Sequence, residues 1–365
     1  MRLHPALSER FGREHLSAID AQRLAEFIAW GPVVFQCSRL MVKTGILQLL
    51  GHSDCGMTRQ QIADATGLTD YAVKCLLEAS LAIGTVVVDP DSDRYSMTKT
   101  GWFLLNDAAT RVNMDFNHDI NYRGMYHLEE ALRDGKPAGL KTLGDWPTIY
   151  EGLSALPEPA RTSWFGFDHF YSDAAFPEAL RIVFGSPVRT LYDVGGNTGK
   201  WALQCVGYDP QVRVTILDLP QQIALMQQHI SGCEGAGRIS GHAIDLLDAD
   251  APFPCSGERP DAIWMSQFLD CFSMPQAVSI LRRAREVMTA DTRLYIMETL
   301  WDRQRFEAAA FCLTMTSLYF TAMANGNSKM YNTDDLEHCI HEAGLRIEHI
   351  HDGLGHGHSV VVVRV

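Results

Sequence analysis

The chain has 365 residues, long for one domain and suited to two. Its 46% hydrophobic and 21% charged residues are an ordinary globular composition with ample material for a core. A formal net charge of −13 argues against a nucleic-acid backbone as partner, which needs clustered Lys and Arg, and no apolar stretch reaches the ~18–20 residues of a membrane span.

The first residues carry no apolar signal-peptide core. The nine cysteines form no Cys-x-x-Cys pair and are odd in number, which reads as reduced thiols in a cytoplasmic protein. Residues 20–50 have a helical, strongly apolar pattern (Phe27, Ile28, Trp30, Val34, Phe35, Leu40, Met41), with Gly31-Pro32 separating two helices. One surface helix cannot bury that many large side chains, so this stretch is expected to form a homodimer interface, with a deep core inside the chain as the plainer alternative.

Next, Thr58 caps one predicted helix, Gly67 ends it and Thr69 caps another over 70–83. Two short strands follow around Asp89-Pro-Asp-Ser-Asp93, completing a winged helix. Its would-be recognition helix offers only Lys74 against Asp70 and Glu78, too little for reading a DNA groove. From about 106 to 185 the pattern is helical, with breaks at 135–137, 144 and 156–157. Two stretches there, Asn117–His127 and Trp164–Ser172, mix aromatic and polar residues. Such an aromatic run suits a flat or apolar ligand as well as plain core packing.

The stretch Leu191-Tyr-Asp193-Val-Gly195-Gly-Asn197-Thr-Gly199 reads as a buried strand, a glycine turn and a helix start. The glycines allow positive φ and close approach of a ligand, and the helix offers free N–H groups at its positive end. Because position 197 is Asn, the dinucleotide spacing G-x-G-x-x-G is not met, and this unit alone indicates only a nucleotide-like ligand. Asp218 ends the next predicted strand, where an acid can accept hydrogen bonds from ribose hydroxyls, and Asp245 follows a third. Strands are expected near 190–194, 213–218, 240–244, 261–265, 293–298, 346–352 and 358–364, forming a doubly wound α/β sheet. Asp193, Asp218, Asp245, Gln267 and Glu298 fall at or just beyond the strand ends.

The three acid-bearing segments resemble the successive S-adenosylmethionine-binding motifs of class I methyltransferases, and more narrowly the plant-type small-molecule O-methyltransferase family, which has bacterial members. The resemblance implies a winged-helix dimerisation domain over 1–105, a helical linker over 106–185 that contributes to the substrate pocket, and a Rossmann-like methyltransferase domain over 186–365. It implies S-adenosylmethionine as cofactor, bound around Asp193, Gly195, Asp218, Leu219, Asp245, Leu246, Gln267 and Ser172. It places Trp164, Phe167, His169, Phe311 and Met315 at the pocket of a small-molecule acceptor.

The resemblance is broken at two positions. The family's general base is a His; here that position holds Asp270, in Gln267-Phe-Leu-Asp270-Cys271. A family Glu before the last long helix aligns with Met330, while the other family acid is present as Glu298. An ordinary carboxylate, with a pKa of ~4, is about six units too weak to deprotonate a phenol, though burial beside a second acid narrows the gap. Asp270 therefore reads either as a catalytic group or as a cap for the helix starting near Ser273. The expected activity is methyl transfer, by default to oxygen, with a carbon or nitrogen acceptor or a non-catalytic cofactor-binding regulator as alternatives. Four histidines between 349 and 358 fit a glycine-rich hairpin better than a metal site.

Overall fold

The computed structural model describes residues 3–255, 257 and 259–365, with no account of the Ala6 side chain. Met1 and Arg2, within the expected first domain, lie outside the described residues. Two compact units form, one of residues 14–119 and one of residues 1–13 with 120–365.

In the smaller unit, α1 (Ala18–Ala29) and α2 (Gly31–Lys43) come first, with Trp30 between them and Pro32 in the first turn of α2. None of the residues of α1 is buried within the chain. β1 (Met57–Thr58) then leads into α3 (Arg59–Thr66). The Thr58 hydroxyl accepts from the N–H of Gln61 and the Gln61 side chain returns a bond to Thr58, so both free ends of the first turn are satisfied. Gly67 closes α3 in the left-handed region, and Thr69 caps α4 (Asp70–Ile83). β2 (Val86–Asp89) and β3 (Arg94–Met97) form the expected wing, with β3 between β1 and β2. On α4, Lys74 lies 3.8 Å from Glu78, and Asp70 pairs with Arg59.

The larger unit carries α5 (Ala160–Asp173) and α6 (Phe176–Val183) ahead of a seven-stranded sheet. Its elements are β4 (Thr190–Val194), α7 (Lys200–Tyr208), β5 (Arg213–Asp218), α8 (Pro220–Ile230), β6 (Ile239–Ala243), β7 (Ala262–Ser266), α9 (Met274–Val287), β8 (Arg293–Glu298), α10 (Glu307–Tyr319), α11 (Thr333–Glu342), β9 (Arg346–Leu354) and β10 (His358–Arg364). All seven strands form where the sequence places them, within two residues at each end.

The strand order is β6-β5-β4-β7-β8-β10-β9, parallel except for β10, which runs antiparallel between β8 and β9. Apolar cores cover both faces; on one, Trp201 stacks on Trp264 with ring centroids 4.1 Å apart. Strand order reverses between β4 and β7, and the crevice beyond their carboxyl ends is where such a sheet takes a ligand. The tail histidines fall on the β9–β10 hairpin, whose turn glycines 353, 355 and 357 all have positive φ. Two segments depart from plain helix: 117–121 and 320–324 each form a π turn, the second directly after α10 ends at Tyr319.

Candidate active site

At the end of β4 the chain turns through Gly195 (φ +72°) and Asn197 (φ +49°) into α7. A Cβ on Gly195 would lie 2.3 Å from the Phe268 ring, and one on Gly196 would lie 2.7 Å from Asp193 Oδ2. Both glycines are therefore required by close approach. Asp218, ending β5, ties the turn down: Oδ2 accepts the Asn197 N–H at 2.9 Å and Oδ1 accepts the Leu219 N–H at 2.8 Å. Asp193 is only 2% exposed, and its Oδ2 has no hydrogen-bond partner. Burial, and then the Asp218 charge, push the Asp193 carboxyl up to about 8. Burial raises Asp218 too, opposed by its two backbone donors.

The other predicted cofactor residues divide. Gln267 takes φ +45° after β7 and turns its amide oxygen to the fully buried His358, 3.2 Å from Nε2. Ser172 Oγ lies 3.1 Å from both the Asp168 carbonyl and Asp173 Oδ1. Asp245 sits two residues past β6, exposed, and accepts the Leu247 N–H. Leu246 departs from expectation: its side chain is 7% exposed within the apolar core, so only its backbone can face a ligand.

The loop after β7 carries Asp270 on a 3₁₀ turn, Leu269–Cys271. Three groups pin that loop. Glu298 Oε1, at the end of β8, accepts the N–H groups of Phe268 (3.1 Å) and Leu269 (2.9 Å). The Asn325 amide donates to the Cys271 carbonyl and the Tyr331 hydroxyl to that of Phe272. Asp270 does not cap the helix that follows; Ser273 does, in a capping box with Gln276. Asp270 is instead 4% exposed, with the Cys271 thiol 3.5 Å from its Oδ1. Burial drives its carboxyl up to about 7, opposed by the thiol and reinforced by the charge of Asp168. Glu298, 2% exposed, is raised well above the usual range by burial and by Asp270, and its Oε2 has no partner.

α5 supplies the wall facing this loop. Trp164 Nε1 donates to the Tyr319 hydroxyl at 2.8 Å, and Asp168 lies one turn further along the helix. Burial and Asp173 lift Asp168 to about 6, partly offset by Lys200, which pairs with Asp173 at 3.0 Å. His169 Nδ1 is 3.9 Å from carboxylate oxygens of both Asp168 and Asp173. Phe167 packs on Tyr171. Tyr150 adds a phenol beside Cys271, held protonated by burial. On α10, Phe311 and Met315 are 59% and 46% exposed, while Tyr319 is buried.

Asp168, Tyr150 and Cys271 were not singled out from the sequence. The signal for Asp168 was an acid inside an aromatic run, four residues from Trp164. For Tyr150 there was none.

Two domain models match the chain, a Dimerisation2-like domain over residues 22–95 and an O-methyltransferase domain over residues 171–346. The 3-hydroxy-5-methyl-1-naphthoate 3-O-methyltransferase of Streptomyces sahachiroi is 32% identical over 256 residues, 63% of this chain and 72% of that protein. The chain belongs to the O-methyltransferase family. The L-tyrosine C(3)-methyltransferase of Streptomyces lavendulae is 22% identical over 90% of this chain and 88% of its own length. Among solved structures, the apo methyltransferase SibL superposes with a TM-score of 0.68 at 23% identity, over 92% of this chain and 97% of that one. NcsB1, solved with S-adenosylmethionine and 2-hydroxy-5-methyl naphthoic acid, gives 0.62 at 20% identity, over 91% and 95%. The protein is thus an S-adenosylmethionine-dependent methyltransferase with a Rossmann-like catalytic domain. Among the described residues no helix is long and apolar enough to cross a membrane.

The residues at the β4 turn fit that cofactor. A buried carboxylate with an unpartnered oxygen suits an ammonium group, and the two glycines leave the space a side chain would fill. Asp218 keeps a lone pair on each oxygen for ribose hydroxyls.

Proposed function

We propose that the protein transfers a methyl group to a small aromatic or conjugated acceptor, most simply to its oxygen, with Asp270 as general base. Asp193, Gly195, Asp218, Leu219, Gln267 and the backbone at Asp245–Leu246 hold the cofactor. When bound, S-adenosylmethionine supplies an electrophilic methyl group on a sulfonium centre. Asp270 takes the proton from the acceptor on its carboxylate. Glu298 fixes the loop that carries Asp270, and Trp164, Tyr150 and Tyr319 keep water out.

The observation that carries this reading is the burial of Asp270. At about 7, its carboxyl is about three units below a phenol rather than six, within the range where general-base catalysis works. A carbon acceptor is the second reading, favoured by the carboxylates around Asp270, which stabilise positive charge developing on a ring. The two are separated by whether the methylated product carries an O-methyl or a C-methyl resonance.

The protein acts as a homodimer on this reading. Ile19 (80%), Ile28 (68%) and Trp30 (61%), on α1 and at its end, are large apolar side chains left exposed on a helix with no residue buried within the chain, which a second copy would cover.

Calorimetric titration with S-adenosylmethionine, S-adenosylhomocysteine and NAD tests the cofactor. Micromolar binding of the two adenosyl ligands, lost in Asp218→Ala, is the expected result. Tighter binding of NAD would overturn it.

A further inference from the structure

Asp168, Asp270 and Glu298 are three acids that burial raises first of all, with the charge of Asp168 adding at Asp270, that of Asp270 adding at Glu298, and that of Asp173 adding at Asp168. Among the described residues, no Lys, Arg or His makes an ion pair with Asp270 or Glu298. Lys200, whose charge reaches Asp168, is already spent on Asp173 at 3.0 Å, and His169 Nδ1 lies 3.9 Å from Asp168. Glu298 Oε2 is an independent sign of a missing partner: it sits on a residue 2% exposed and accepts no hydrogen bond. A buried carboxylate oxygen left in that state is costly unless a donor arrives with a ligand.

The walls narrow the chemistry of that donor. The Trp164 indole, locked onto Tyr319, stands one helical turn from Asp168, and Tyr150 lies beside Cys271 next to Asp270. An aromatic enclosure with carboxylates at one side matches a ring bearing a cationic nitrogen. The ring lies on the aromatic faces, and the nitrogen brings up to three N–H donors and a favourable charge over those faces.

We propose that the acceptor carries a protonated amine, and that Asp168 is the specificity residue that receives it beside Asp270 and Glu298. The proposal rests on the methyltransferase reading above. Asp270 faces the reacting group, whereas Asp168 sets which acceptors are held. An ammonium at Asp168 also cancels the charge that Asp168 imposes on Asp270, which leaves burial to keep that carboxyl raised. The sulfonium of the methyl donor is the competing cation, but it has no N–H to give the unpartnered oxygen of Glu298.

Three catechols differing only in charge serve as probes: dopamine, 4-ethylcatechol and 3-(3,4-dihydroxyphenyl)propionate. Each is titrated calorimetrically into the full-length protein saturated with S-adenosylhomocysteine, and then into Asp168→Asn. Dopamine should bind about tenfold or more tighter than 4-ethylcatechol, the gain of one charge-assisted hydrogen bond, with the propionate weakest. In Asp168→Asn the advantage should fall to about twofold or less, with binding of S-adenosylhomocysteine unchanged. Equal binding of dopamine and 4-ethylcatechol, a preference for the propionate, no binding of any probe at millimolar concentration, or an advantage that survives in Asp168→Asn would overturn the proposal. So would a variant that weakens S-adenosylmethionine but not S-adenosylhomocysteine, since the carboxylates would then serve the sulfonium. Loss of adenosyl-ligand binding in the wild-type protein would instead remove the underlying methyltransferase reading.

Discussion

The two ends of the crevice handle buried carboxylates in opposite ways. At the glycine turn, Asp218 is tied to two backbone N–H groups, which hold its charge and fix the turn at the same time. Around Asp270, among the described residues, no Lys, Arg or His makes an ion pair with Asp270 or Glu298, and Glu298 Oε1 spends its bonds on shaping the loop. The first arrangement makes a rigid receptor for a ligand that is always the same. The second leaves charge uncompensated, so that its protonation state depends on what enters. An acid substituted for the family's His is workable there because burial raises it toward neutrality.

The strongest test of that contrast is removal of one group from each end. Asp270→Asn should lower the rate of methyl transfer by about 10²–10⁴-fold with cofactor affinity unchanged, measured by transfer of labelled methyl groups to an acceptor panel. Asp270→His should restore much of the rate. At the other end, Gly195→Ala should weaken S-adenosylhomocysteine binding by about a hundredfold or more. The new Cβ has no room beside Phe268, and φ +72° is strained for alanine. Calorimetry with a thermal melt as folding control reads that effect. Equal damage to cofactor binding by both variants would erase the distinction between the ends.

A smaller effect concerns stability. Asp168, Asp270 and Asp193 have folded-state pKa values of about 6, 7 and 8, all above the ordinary value near 4. The folded protein therefore holds protons that the unfolded chain has released between about pH 4 and pH 8. Their contribution to stability is greatest below that window and is lost as pH rises through it. His358, lowered to about 3 by burial, acts in the opposite sense as pH falls below about 6.5. Comparing wild type with Asp270→Asn isolates the first effect: urea unfolding should show the variant gaining stability relative to wild type between pH 5 and pH 8.5. An unchanged difference would mean that Asp270 titrates as an ordinary surface acid.

The smallest expected effect on chemistry, and one outside the crevice, is on assembly. Ile28→Lys with Trp30→Lys should shift sedimentation from dimer to monomer while the fold melts as one transition.

The sheet was legible because its central strands are apolar runs bounded by glycine, proline and acids, a pattern that buried strands must show. The winged helix was legible because Thr58, Gly67 and Thr69 have local capping roles that no tertiary contact overrides. The acceptor end was less so. Resemblance put Phe311 and Met315 at the acceptor pocket, but it does not say what covers them, and both are exposed. Leu246 was assigned by its place beside Asp245, whereas its side chain belongs to the core. Met330, where the family has an acid, is 5% exposed, and its N–H donates to Ser317 Oγ. Asp168 reaches Asp270 across about a hundred residues of sequence, and no local pattern encodes that meeting.

The most direct test of the account is a ¹³C-carboxyl NMR titration of the aspartates in the S-adenosylhomocysteine complex, repeated with Asp270→Asn. A resonance titrating near pH 7 that disappears in the variant is the predicted result. If the resonance lost in the variant titrates near pH 4, Asp270 is an ordinary carboxylate, and it is not the base.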